Sequence, residues 1–416
     1  VRRTPPVRKS IFDPVHGVVE LDEVALALIG HPSFQRLWGI RQTGFAHLVF
    51  PGANHTRLEH SLGVSFVAGT MADRLHLDGA DRATVVAGAL LHDLGHTPFS
   101  HTLEPSMVEA TGRTHESVSR ELIVDPTPAE PGGDSIAGLL DARGIRPNAV
   151  ADLIDPPRRL PGLLAEILHG PIDADRIDYL QRDAHYTGVA HGAVDSARLL
   201  AIVRAHRGHL AFAEKGRSAV EGFLVGRALM YASVYYHKTV RAAEVMAQAA
   251  VERAPGFPAT VGPWFRCTDG ELLVRLEEMG GYPAQAARNL SARRLVKRAH
   301  SWTVVDAADR RRFGRLRRDP PERRAWEDRV AARLGAPPGA VLLDLAGLES
   351  RDGDPAGWGA VGILDGARIT HPFARDPVWE SFTRRPPSLR AVSVYVDPRF
   401  RSEAERRLRR RGADAD

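Results

Sequence analysis

Apolar and polar positions change period several times along the chain, and each change marks an element. Residues 11–22 alternate around Pro14 and Gly17, which predicts a short pair of strands. Residues 23–45 take up helical spacing and predict two helices. The second opens at Pro32 and Ser33 and carries Phe34, Leu37, Trp38 and Gln42. A loop at 50–56 ends in Thr56, an N-cap for a helix running to about Leu75, on which Arg57 and His60 share a face. The next helix, from Asp81, closes in an apolar run, Ala83 to Leu91, and delivers His92 and Asp93. Pro, Gly and Asp make 125–135 a loop or lid, and 136–168 reads as helical with a break at 155–157. A helix over 171–183 sets Asp175, Arg176, Tyr179 and Asp183 on one side. A further helical pattern, Val220 to Ala250, carries Arg227, Tyr231, Tyr235, Tyr236 and Lys238.

After Glu252 the texture changes. Three prolines fall within 255–269, arginine-rich helical segments continue to about Leu334, and 341–345, 360–364 and 391–396 read as strands. Residues 402–411 form a basic helix or tail. The pattern predicts a mainly α protein: a helical core over 1–255 and a smaller α+β region over 256–416, suited to oligomerisation or regulation.

Composition narrows this little. The chain has 416 residues, 43% hydrophobic and 26% charged, as in an ordinary globular protein with room for two or three domains. A single cysteine, Cys267, excludes an internal disulfide framework and fits a reducing compartment. No apolar stretch approaches the roughly 20 residues that span a bilayer, and Val1 to Pro6 lack the apolar core of a signal peptide. A cytoplasmic location without membrane contact is the expectation. Of 56 basic residues only 4 are lysine, and the formal charge is +5, a mild pointer to an anionic partner. Support for nucleic acid is weak. The runs 310–318 and 406–411 interleave almost no aromatics beyond Phe313 with their charge.

The chemistry concentrates in His92-Asp93-Leu94-Gly95-His96-Thr97-Pro98-Phe99-Ser100-His101. A His-Asp pair at a helix end offers an imidazole and a carboxylate to one point in space. Such nitrogen and oxygen donors suit Fe, Mn, Mg or Zn. Gly95 and Pro98 stop the helix and bend the chain over the site.

The ordered set His60, His92-Asp93, Asp175 resembles the signature of HD-domain metal-dependent phosphohydrolases. Asp13-Pro14-Val15-His16-Gly17, Phe34-Gln35-Arg36-Leu37, Val49-Phe50-Pro51-Gly52-Ala53, Arg57 to Val64 and His92 to His101 look like one branch of them. That branch is the deoxynucleoside triphosphate triphosphohydrolases, including the SAM-and-HD-domain enzyme without its SAM domain. The resemblance implies an HD-type helical metallohydrolase core, with His60, His92, Asp93 and Asp175 holding one or two divalent ions. Two imidazoles and two carboxylates leave positions free for water, whose pKa an ion can lower toward ~7, and for a phosphate oxygen. The resemblance further implies that His96, His101 and His115 face the α-phosphate and the leaving 5′-oxygen. We assign His101 as general acid, oriented by Glu104. Arg57, Arg176, Arg227 and Lys238 are implied at the triphosphate, Gln42, Tyr179 and Asp183 at the sugar, and Tyr235 against sugar or base. A homodimer or homotetramer is also implied. Departures from the pattern include Thr43 after Gln42 in place of leucine and Tyr231 in place of a histidine. Gly30 replaces an acid that reads guanine at an activator site, so activation through that site is not expected.

Two other readings stay open: an HD-type phosphohydrolase acting on another nucleotide (a monophosphate, a cyclic nucleotide or a biosynthetic-pathway nucleotide), and a nucleotide-sensing protein that binds nucleic acid.

Overall fold

The computed structural model describes residues 9–156, 162–304, 307–348, 358–373 and 391–410. The N-terminal residues read above against a signal peptide, together with Pro157 and Arg411, lie outside them.

The chain folds as a mainly helical protein whose ends are set by residues visible in the sequence. Thr56 and Glu59 form a capping box on the helix Arg57–Arg74, the Thr56 amide donating to the Glu59 carboxylate over 2.6 Å. Asp78 caps Gly79–Leu91, and Asp173 caps Ala174–Thr187 by accepting from the Arg176 amide at 2.8 Å. These three helices pack on one another and on Arg217–Met230 through Val64, Val67, Met71, Ile177, Leu180, Phe223 and Leu224, all essentially buried. A neighbouring apolar cluster joins the hairpin Lys9–Asp13/Gly17–Leu21 to Leu90, Leu91 and Leu94.

The packing crosses the boundary expected near residue 255. The helix Lys238–Glu252 shares a core with Phe45, Phe99 and Leu103 on one side and with Trp264, Phe265, Leu272 and Leu290 on the other. Among the described residues there is also a four-stranded sheet in which His209–Ala213 pairs in parallel with Ile363–Asp365, flanked by Val203–His206 and Arg368–Thr370. A three-stranded antiparallel sheet, Lys297–Thr303, Ala391–Val396, Val341–Asp344, carries the helices Pro320–Arg333 and Arg401–Arg410. No helix among the described residues is long and apolar enough to cross a membrane.

Several expected elements differ. The helix predicted from Val220 to Ala250 is two helices, because the chain widens into a π-helical turn at Tyr231–Tyr235 and restarts at Lys238 with His237 as N-cap. Turns of this kind often mark functional sites, and this one displaces tyrosines into a cleft. The second helix of 23–45 is a single turn, Pro32–Gln35, continued as a 3₁₀ turn, Arg36–Gly39. Among the described residues of 136–168 there are three helices, Ile136–Asp141, Pro147–Ile154 and one beginning at Leu163 (Leu163–His169), with the first break at Gly144 in the left-handed region (φ 71°). Lys297–Thr303, expected within a helical stretch, is a strand. Its alternation is hidden because Ala299 is its one fully buried side chain.

Gly63 is where two helices come closest. A Cβ there would overlap the Asp178 carboxylate and the Arg182 guanidinium, both buried and hydrogen-bonded. Gly63→Ala is expected to lower stability by about 1–3 kcal/mol, read by urea unfolding. A variant as stable as the parent would show that this helix contact is looser than described.

Candidate metal centre and catalytic cleft

Two imidazoles open the site, and the proton on each is placed by its partner. His92, just past the end of Gly79–Leu91, donates from Nδ1 to the Ala89 carbonyl at 2.8 Å. A carbonyl only accepts, so Nδ1 carries the hydrogen and Nε2 is a bare lone pair. His60, fully buried on Arg57–Arg74, sets Nδ1 2.7 Å from Asp178 Oδ2, which likewise leaves Nε2 bare. Both Nε2 atoms are buried and lack a hydrogen-bond partner. Around them lie carboxylates: His60 Nε2 is 3.0 Å from Asp175 Oδ1 and 3.7 Å from Asp93 Oδ2, and His92 Nε2 is 3.2 Å from Asp93 Oδ1. Lone pairs facing carboxylates call for a cation there, either a proton or a metal ion. Burial would lower the His60 pKa, but Asp175 and Asp178, one beside each ring nitrogen, push it up to about 10. The pocket favours positive charge, and a divalent ion on His60, His92, Asp93 and Asp175 would supply it. The donor set suits a borderline to hard ion and leaves its identity open.

The support behind His60 is a buried ionic network. Asp178 receives His16 Nε2 at 2.6 Å and a bidentate Arg182 at 2.9 and 2.9 Å, and Arg182 extends to Asp13 Oδ2 at 2.8 Å. Asp93 is fixed by Arg57 Nη1 at 2.6 Å. Burial would raise the Asp93 pKa, but Arg57, His92 and His96 hold it well below the usual carboxylate range. Arg57, expected at the triphosphate, thus orients a ligand while also lining the cleft.

His96, His101 and His115 form a second group. His96 and His115 stack at 4.0 Å with planes 17° apart, and His101 stands edge-on to both. Although the trio is close enough to suggest a second ion, stacked rings keep in-plane lone pairs nearly parallel, so His96 and His115 cannot converge on one. The arrangement serves protons and phosphate oxygens better. His101 and His115 both donate from Nδ1 to Glu104. Burial, with repulsion from Arg57 and His115, keeps His96 neutral, whereas burial of His115 is overcome by Glu104, which raises its pKa. The connecting loop holds Phe99 and Ser100 at φ 58° and 58°, a conformation L-residues rarely adopt. It is fastened by Asp269, which accepts from the Phe99 amide at 2.6 Å, and by Arg36, which donates to the Leu94 and His96 carbonyls at 3.0 and 2.6 Å.

Of these groups Arg57, His101 and Glu104 line a cleft of about 980 Å³, together with Gln42, Tyr179, Asp183, Tyr231 and Tyr235, among others. Asp183 accepts from His55 Nε2 at 2.7 Å and from the Tyr235 hydroxyl at 2.5 Å. Gln42 Oε1 is buried with no partner. Arg227 donates from Nε to the Tyr179 hydroxyl at 3.0 Å and lies over the Tyr231 ring, and Arg176 is tied to Asp173. Lys238 is exposed at the first position of its helix and, like Arg176 and Arg227, is not among the residues lining the cleft.

The HD-domain family profile matches residues 57–183, and that of the HD-associated region matches 194–354. The chain carries an HD domain followed by an HD-associated region. Among its relatives is an uncharacterized protein of Methanocaldococcus jannaschii, 38% identical over 247 residues, 58% of this chain and 49% of that protein. The deoxynucleoside triphosphate triphosphohydrolase SAMHD1 of Gallus gallus is 30% identical over 291 residues, 62% of this chain and 47% of that protein. The chain thus spans about half the length of these curated relatives. A crystal structure of a hypothetical protein from Aquifex aeolicus superposes with a TM-score of 0.73 at 26% identity, covering 97% of this chain and 100% of that one.

All four candidate ligands fall inside the matched HD domain, while Gln42 precedes it and Arg227, Tyr231 and Tyr235 follow it. Sequence reasoning missed Asp178, His55 and Asp269 as supports. Asp178 had a signal, a second acid one turn beyond Asp175. Asp269 had none, being 170 residues from Phe99.

Asp178→Asn should weaken metal binding about 10- to 100-fold, measured by chelator competition. An unchanged affinity would remove Asp178 from the support of His60. The Glu104–His115 pair predicts a pH dependence. Burial would raise the Glu104 pKa, but His101 and His115 hold it far below its ordinary 4.5, so its contribution to stability is present above that value and fades only as pH falls through the depressed one. The His115 contribution is complete below its ordinary 6.5 and fades as pH rises through the raised value. The stability difference between parent and Glu104→Gln should therefore be largest at about pH 5–6 and shrink in alkaline solution. A difference flat across that range would contradict the pairing.

Proposed function

We propose that the chain hydrolyses deoxynucleoside triphosphates at the α-phosphorus, releasing deoxynucleoside and tripolyphosphate. The observation that carries this reading is that Arg57, which holds the candidate ligand Asp93, lines one cleft together with His101, Glu104, Gln42, Asp183 and Tyr235. Similarity to SAMHD1 enzymes supports the same substrate class. An ion held by His60, His92, Asp93 and Asp175 supplies an acidified water and neutralises phosphate charge.

The remaining chemistry belongs to side chains. Phosphoryl transfer depends mainly on positioning and charge stabilisation. His101, two-thirds exposed to the cleft and held at Nδ1 by Glu104, is placed to give the Nε2 proton to the departing 5′-oxygen. Neutral His96 keeps its Nε2 toward Asp93, and His115, whose charged form Glu104 favours, offsets phosphate charge. Asp183 accepts the 3′-hydroxyl proton and Gln42 contacts the same hydroxyl, the Tyr179 ring occupies the place of a 2′-hydroxyl, and Arg176 and Arg227 face the outer phosphates.

Incubation of metal-reloaded protein with each deoxynucleoside triphosphate should yield nucleoside and intact tripolyphosphate. His101→Ala should reduce turnover about 10²- to 10⁴-fold. Monophosphate and pyrophosphate as products would reject the reaction, and a His101→Ala enzyme at full rate would remove the assigned acid.

A further inference from the structure

The short helix Glu104–Thr111 begins with the carboxylate that holds His101 and His115, yet much of its attachment lies at the opposite end and is ionic. Glu109 forms a two-point pair with Arg324, at 2.7 and 3.0 Å. Ser106, fully buried, donates to Glu252 Oε1 at 3.1 Å. Glu252 Oε2 takes Arg324 Nη1 at 3.4 Å and is also bonded to Arg323. Both arginines belong to the helix Pro320–Arg333, more than 200 residues from Glu104 in sequence, and Glu252 ends the helix Lys238–Glu252. One turn on, Glu327 is nearly buried, accepting the Leu343 amide at 2.9 Å and pairing with Arg253 at 3.2 Å.

A buried charge network of this kind is a poor source of stability, because desolvation offsets the attraction, but it is sharply directional. An arginine fork on a carboxylate fixes distance and angle together. We propose that Arg324, through Glu109, is a positioning residue that sets the axial placement of the Glu104 helix and thereby the grip of Glu104 on His101 and His115. This deepens the hydrolase reading and rests on it for the catalytic consequence, but not for the structural one. The C-terminal region then takes a direct part in the site: its arginine helix braces the helix that orients the acid. A shift of about 1 Å at Glu104 is enough to misalign two imidazoles, and such misplacements can lower rates about 10²-fold.

The test uses the full-length, metal-loaded protein and reads the His115 imidazole by histidine-labelled NMR titration, which needs no turnover. The groups facing His115 are Glu104, Glu116, His96 and His101, with Asp93 behind His96. Of these only Glu104 rides on the braced helix. In Arg324→Ala and in Glu109→Gln the His115 midpoint should fall toward the ordinary 6.5. The kcat for whichever nucleotide the parent hydrolyses should drop about 10- to 100-fold. Bound metal should stay at the parental level, and Arg324→Lys, which keeps the charge but loses the fork, should fall between the parent and Arg324→Ala in both readouts. A His115 midpoint unmoved in folded Arg324→Ala or Glu109→Gln overturns the proposal, as does a fall in kcat accompanied by metal loss. If Arg324→Ala does not fold, Glu109→Gln gives the same decision. If no nucleotide is hydrolysed, the His115 titration still decides the brace while the hydrolase reading fails on its own.

Discussion

One buried carboxylate, Asp178, underlies the metal-binding half. An unpaired carboxylate out of water is severely unfavourable, and Asp178 has no exposed surface. Its stability as an anion therefore requires donors on every side, and His16, His60 and Arg182 provide them. Satisfying it has two consequences. The His60 ring is fixed in one orientation with Nε2 toward the cluster, and the N-terminal hairpin is drawn onto Ala174–Thr187 through Asp13 and Arg182. Gly63 lets the two helices approach closely enough for this to occur.

The catalytic loop is organised by a different compromise. Phe99 and Ser100 each hold a strained backbone, at about 1–3 kcal/mol apiece, and the loop persists because it is fastened from outside. Asp269, pushed up to about 6 by burial against the pull of its amide donors, accepts from Phe99 and Arg41, while Ser100 Oγ donates to the Arg41 carbonyl at 2.6 Å. Ser100 Oγ also accepts from Arg57. The same arginine thus touches the metal-ligand candidate Asp93 and the loop that carries His96 and His101, linking cation binding to acid placement. The strain is stabilised by residues from beyond position 255, as is the helix behind Glu104.

The histidine trio shows how similar residues acquire separate roles. His96 and His115 stack too closely to carry two charges. Burial and Arg57 keep the first neutral, while Glu104 favours the charged form of the second. Environments that separate neighbouring pKa values are how an acid and a neutral donor coexist at one pH.

Much of this was legible in the chain itself. Caps such as Thr56 depend on local hydrogen bonds, so the starts read at 57, 81 and 171 fall at or near the observed Arg57, Gly79 and Ala174. The order His60, His92-Asp93, Asp175 named a candidate ligand set, because nitrogen and oxygen donors at helix ends have few other uses in such density. What the sequence by itself determined was therefore chemistry and local structure, both of which act over a few residues. Tertiary structure alone decided that Asp178 backs His60, that Arg57 turns to Asp93, that the 220–250 helix breaks at its tyrosines, and that Asp269 and Arg324 brace a loop and helix far upstream. Those facts depend on the relief of buried charge and on close packing between segments distant in sequence, and no local pattern records which partner will arrive.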